Sequence, residues 1–268
     1  MSAGAAVAAP GGAPVRAPAV RLQYSPGVPP TPDEPPRTAL STVPAAGSRR
    51  GQAATGTVKF FYGPMDCGKS TLALQLDHNH SRQGRRGLLL TRLDRSRQGQ
   101  ITSRMGITRP ALEVPDTMDI ADLVRTSWAQ GRRVDYLIVD EAQFFTPEQI
   151  DQLAQLADDV QVDVYAFGIA TDFRGRMFPG SARLFELADE VLPLQVEVLC
   201  WCGAAGRFNA RVVNGEVARE GAQVVVADIS PDGATDGTEV RYQVLCRRHH
   251  RTGDLGPGSD TAQLPMTD

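Results

Sequence analysis

The chain has 268 residues and a formal net charge of −3, and its acidic and basic residues are interleaved, which argues against a polyanion-binding surface. No apolar run reaches the roughly 20 residues that a membrane-spanning helix needs. Four cysteines, one of them inside a glycine-rich loop, do not make a disulfide framework, so the chain is read as cytoplasmic.

Residues 1–50 hold ten of the 19 prolines and a single aromatic residue. Such a stretch cannot bury enough apolar surface to offset its ordering entropy, and a disordered extension is predicted over 1–54. It is not read as a secretory leader, because residues 1–15 lack a basic start and a continuous apolar centre. The apolar run Val58–Phe61 then enters Gly63, Pro64, Met65, Asp66, Cys67, Gly68, Lys69 and Ser70, followed by Thr71. A strand, a glycine-rich loop and a helix in that order aim backbone N–H groups and a helix N-terminus at one anion. In such a loop Lys69 reaches the terminal phosphates of a nucleoside triphosphate and the Ser70 hydroxyl takes a Mg²⁺ position.

A helix is predicted from Lys69 to near Gly84, and a buried strand over Gly87–Thr91. Asp119–Gln130 carries Ile120, Leu123, Val124 and Trp128 on one stripe and predicts a helix ended by Gly131. The apolar run Tyr136–Val139 ends in Asp140 and Glu141 and suits a central parallel strand. A helix opening at Pro147 and a strand over Val162–Gly168 complete the alternation. Strands alternating with helices imply an open parallel sheet, whose ligands sit at the carboxyl ends of the strands. Gly63 and Asp140 both fall at such ends.

Asp140 therefore reads as the carboxylate that helps hold Mg²⁺. Glu141 could activate a water, as in an ATPase, or deprotonate an acceptor hydroxyl, as in a kinase. Cys200-Trp201-Cys202 and Cys246-Arg247-Arg248-His249 form two short ligand pairs that suit a structural Zn²⁺ at Cys200, Cys202, Cys246 and His249. His250 is the substitute for His249.

The segments 63–71, 140–145 (Asp-Glu-Ala-Gln-Phe-Phe) and 171–178 (Thr-Asp-Phe-Arg-Gly-Arg-Met-Phe) resemble, in order, the type II thymidine kinases. The resemblance implies a phosphate-loop, RecA-like parallel sheet domain at 55–194 and a zinc-binding lasso domain at 195–252, and the polar Gly-, Pro- and Asp-rich composition beyond predicts a disordered tail at 253–268. The resemblance also implies transfer of the ATP γ-phosphoryl group to the 5′-hydroxyl of thymidine or deoxyuridine, by a homotetramer. On this resemblance Glu141 matches the general base. Phe144, Phe173 and Phe178 match aromatic residues around the thymine ring, with Phe145 as core. Arg95, or else Arg97, matches an arginine near the transferred phosphate. Val226 and Ala227 lie in the lasso segment Gln223–Ile229 that holds the base by its backbone, and Tyr242 matches a tyrosine beside it. One departure is the first cysteine pair, Cys-x-Cys where the family has Cys-x-x-Cys. A second reading, a nucleotide-dependent ATPase or regulatory protein whose zinc module binds DNA, would use Arg207, Arg211, Arg247, Arg248 and Arg251 as a basic face.

Overall fold

The computed structural model describes residues 55–93, 99–103, 106–223 and 239–257, and from residue 55 on they belong to one compact unit. The predicted extension 1–54, Arg95, Arg97, Val226, Ala227 and the chain beyond 257 lie outside the described residues. In chain order the elements are β1 (Val58–Tyr62), α1 (Lys69–Arg82), β2 (Gly87–Thr91), β3 (Gln100–Thr102), β4 (Thr108–Pro110), β5 (Leu112–Glu113), α2 (Ile120–Ala129) and β6 (Tyr136–Val139). They continue as α3 (Pro147–Val160), β7 (Asp163–Gly168), α4 (Pro179–Leu187), β8 (Glu190–Pro193), β9 (Phe208–Val213), β10 (Glu216–Val217), β11 (Val240–Leu245) and α5 (Arg247–Thr252).

The large sheet has six strands in the order β5-β2-β6-β7-β1-β8, and every pairing in it is parallel. One strand, β7, separates the strand that feeds the phosphate loop from the strand that ends at Asp140. That is the RecA-like order. All four residues of β6 are buried, because helices cover both faces of the sheet. Leu137 and Val139 join a core with α2, α3 and α4 through Val124, Ile150, Leu153 and Leu184. Tyr136 and Ile138 point to the other face and pack with Ala73 and Leu74 of α1. A continuous apolar run thus serves two cores, each fully buried large side chain contributing about 1.5–3 kcal/mol.

The helix starts follow from their caps. The Asp119 side chain accepts from the Asp122 N–H at 2.8 Å at the start of α2. Thr146 and Gln149 form a reciprocal capping box at α3, with Pro147 as its first residue, where proline loses no helical hydrogen bond.

A smaller antiparallel sheet, β10-β9-β11, leads into α5, whose N-cap Cys246 and residue His249 are the second pair of ligand-type residues, and shares a core of Cys200, Ala210, Val212, Leu245, Cys246 and Leu255. The predicted tail from 253 onward is therefore corrected in its first residues. Leu255 is buried in this core, its carbonyl accepts from Gln243 Nε2 at 3.0 Å, and the Asp254 carbonyl accepts from Trp201 Nε1 at 3.0 Å.

Candidate functional site

The phosphate loop leaves β1 at the carboxyl edge of the sheet and turns through Asp66 (φ 69°) and Gly68 (φ 80°) into α1. A Cβ at position 63 would stand 2.6 Å from Cys67 Sγ, so any other residue there would have to displace that cysteine. Cys67 is buried and fills the floor of the loop. The Lys69 ammonium donates to the Pro64 carbonyl at 2.7 Å, which holds it along the loop where a phosphate chain would lie.

Across the sheet edge, the Ser70 hydroxyl donates to Asp140 Oδ2 at 2.8 Å. Two hard oxygen donors side by side next to a phosphate loop fit a Mg²⁺ ion, which takes few protein ligands and completes its shell with phosphate oxygens. Burial pushes the Asp140 carboxyl up to about 7, helped by the neighbouring Glu141 charge. Such a carboxylate gains most from a cation placed against it.

Glu141 lies in the left-handed region (φ 52°, ψ 39°), so the chain turns sharply as soon as β6 ends. That turn separates two adjacent carboxylates. Asp140 meets Ser70, whereas Glu141 Oε2 accepts from Gln143 Nε2 at 2.6 Å. Gln143 Oε1 in turn accepts from the Ile169 N–H at 3.1 Å, just beyond the end of β7.

Of the aromatic residues, Phe145 lies in the main core. Phe144 is half-buried and meets the edge of Phe178 with centroids 5.5 Å apart. Phe173 stands in a turn organised by Asp172, whose Oδ1 accepts from the backbone N–H groups of Arg174 and Arg176 at 2.9 and 3.0 Å. Burial pushes the Asp172 carboxyl up, but the Arg176 and Arg174 N–H groups and the Arg174 guanidinium outweigh it and hold it below the usual value. The Phe173 ring lies under Arg211, whose guanidinium carbon is 3.9 Å from the centroid. Arg211 Nε donates to the Tyr242 hydroxyl at 2.8 Å, and its two terminal nitrogens donate to the Ala222 and Gln223 carbonyls at 2.9 and 3.1 Å. Phe173 and Tyr242 are therefore joined by a buried arginine.

The donor atoms of Cys200, Cys202, Cys246 and His249 all lie within 4.8 Å of one another. Three thiols and an imidazole at that spacing fit a four-coordinate Zn²⁺, with Zn–S bonds of about 2.3 Å. The His249 backbone N–H at the start of α5 holds the Cys246 thiol below its ordinary value, favouring the thiolate that ligation needs. The short Cys-x-Cys pair is accommodated by a turn in which the Gly203 N–H bonds the Cys200 carbonyl at 2.8 Å. His249, not His250, belongs to the cluster.

A family model described as thymidine kinase matches residues 56–250. The chain belongs to the thymidine kinase family. It is 58% identical to a thymidine kinase of Streptomyces coelicolor over 194 residues, covering 72% of this chain and 87% of that one. It is 56% identical to one from Streptomyces avermitilis, with the same coverage, and 52% identical to one from Cutibacterium acnes, covering 74% of this chain and 89% of that one.

Within this thymidine kinase fold four residues join the site that the motifs did not single out for it. Gln143 orients Glu141. Asn209 on β9 accepts the Met65 N–H of the phosphate loop at 2.7 Å. Arg211, read from sequence only as one of several basic residues, is buried, and His250 donates to the Phe173 carbonyl at 2.7 Å. Gln143 lies inside the quoted 140–145 motif, so the motif itself was the available signal. Asn209 and Arg211 lie on β9 with no spacing pattern to mark them.

Proposed function

We propose that this chain is an ATP-dependent kinase that transfers the γ-phosphoryl group to the 5′-hydroxyl of thymidine, and of deoxyuridine. The observation that carries the reading is the pair of adjacent carboxylates aimed in different directions. Asp140 is joined to the phosphate loop through Ser70 at 2.8 Å, and Glu141 is turned aside onto Gln143 at 2.6 Å.

On this reading Gly63–Thr71 binds the triphosphate, with Lys69 leaving the Pro64 carbonyl for the β/γ-phosphates. Ser70 and Asp140 hold Mg²⁺, which when bound neutralises charge developing on the transferred group. Glu141 accepts the proton of the 5′-hydroxyl as its oxygen attacks, a step that needs the base within hydrogen-bond reach. Phe144, Phe173, Phe178 and Tyr242 wall a flat apolar slot for the pyrimidine, a shape that excludes water from the transfer. Val226 and Ala227 hold the base edge and Arg95 approaches the phosphate, both by resemblance to the family. A Zn²⁺ at Cys200, Cys202, Cys246 and His249 is structural, since four protein ligands leave no open position. The family resemblance further supports a cytoplasmic homotetramer.

The DNA-binding reading loses Arg211 from its basic face, because that side chain is buried and engaged with Tyr242. It gains no support from the family match.

Purified protein, ATP and Mg²⁺ assayed against the deoxynucleosides test the proposal, with ATP hydrolysis in the absence of nucleoside as control. Thymidine-dependent formation of the 5′-monophosphate is the expected result. ATP hydrolysis without nucleoside phosphorylation would sink it.

A further inference from the structure

Two adjacent histidines lie in the middle of α5, and they serve different neighbours. His249 Nδ1 lies 3.4 Å from Cys200 Sγ and its ring stacks on Trp201 with centroids 4.3 Å apart. His250, one step of about 100° further round the helix, stacks instead on Phe208 of β9 with centroids 4.7 Å apart. Its Nε2 lies 2.7 Å from the Phe173 carbonyl oxygen. A carbonyl can only accept, so His250 carries its proton on Nε2 and donates. The imidazole is buried, as is Phe173, so this hydrogen bond has no water competing for it.

Phe173 is thus held twice by the zinc module: its backbone by His250 and its ring by Arg211. We propose that His250 is a positioning residue for the acceptor nucleoside, tying the Phe173 turn to the module that His249 anchors. This rests on the reading of Phe173 as a wall of the pyrimidine slot. His250 touches neither the phosphate loop nor the carboxylate pair in any hydrogen bond or ring contact described above. Its hydrogen bond therefore serves the acceptor side. Its ring packs on Phe208 beside Asn209, which holds the Met65 N–H of the phosphate loop. A variant that keeps the ring and loses the donor thus acts on the acceptor alone. A buried carbonyl left without its donor is costly enough to move the turn, and loss of one ordinary hydrogen bond corresponds to about a five- to tenfold change in affinity.

Two variants separate the donor from the ring. His250→Phe keeps the stack on Phe208 and lacks the donor. His250→Gln lacks the ring but carries an N–H that can reach the carbonyl. For each, thymidine affinity is measured by calorimetry, KM is measured for both substrates, and zinc is counted by metal analysis. His250→Phe is expected to raise the thymidine Kd and KM about tenfold, with the ATP KM within about twofold and zinc content as in the parent. His250→Gln is expected to recover most of the thymidine affinity. An unchanged thymidine KM in His250→Phe, an equal rise for both substrates, or loss of zinc would overturn the proposal. Parent protein that phosphorylates no thymidine would overturn the reading of the site itself, and the inference with it.

Discussion

Gln143 and Glu141 form a fixed pair: the Gln143 carboxamide donates to Glu141 Oε2 at 2.6 Å and its own oxygen accepts from the Ile169 N–H at 3.1 Å. The backbone donor sets which way round the amide lies, so the N–H of Gln143 can only face the carboxylate. The candidate base is therefore located by the end of β7 and not by its own strand alone.

Gln143→Leu leaves Glu141 without that anchor. We expect kcat to fall about tenfold, because small misplacement of a reacting group is costly, with the ATP KM unchanged. Steady-state kinetics decide it, and an unaltered kcat would mean that Glu141 is positioned by other groups.

Glu141→Gln removes the proposed base and keeps the shape. Turnover should drop by about 10²- to 10⁴-fold, the usual worth of a positioned general base, while ATP binding measured by calorimetry stays near that of the parent. Full activity in this variant would remove Glu141 from the mechanism.

The Asp140 carboxyl, pushed up to about 7 by burial and by Glu141, ties stability to pH. Its folded value is above its ordinary one, so the fold favours the protonated form. In the absence of Mg²⁺ and nucleotide, stability is predicted to fall as pH rises from the ordinary carboxylate range through about 7. Asp140→Asn abolishes that buried charge, so it should raise the melting temperature at pH 8 and change it little at pH 4, while losing activity. Melting curves of both proteins across this range provide the check; an identical difference at both ends would refute the role of the charge.

The zinc cluster predicts about one zinc per purified chain. Cys200 is buried in the small core, so Cys200→Ser should lose the metal and lower the melting temperature by several degrees. Folded, active protein with no zinc in it would exclude the site.

The parts of this protein legible from sequence are those written in local patterns. Tyr136–Val139 announced a strand buried on both faces, and Gly63–Ser70 announced its loop because strand, glycines and helix occur in order. The Cys and His spacings announced the cluster, down to the assignment of His249. What stayed hidden depends on contacts between distant stretches of chain. Asn209 meets Met65, and His250 meets Phe173, only after two sheets have come together, and no periodicity encodes either meeting. Leu255 was obscured by composition, since a Gly-, Pro- and Asp-rich stretch reads as tail even when one leucine in it is buried.

The left-handed turn at Glu141 places function and robustness in competition at one position. A residue with a Cβ costs about 1–2 kcal/mol in that conformation, whereas glycine adopts it freely. Glycine at 141 would give a calmer backbone and, on the proposed mechanism, an enzyme without its base. Directed evolution of this chain for heat tolerance alone would therefore be drawn toward discarding its candidate base, and a screen that scores survival must score turnover beside it.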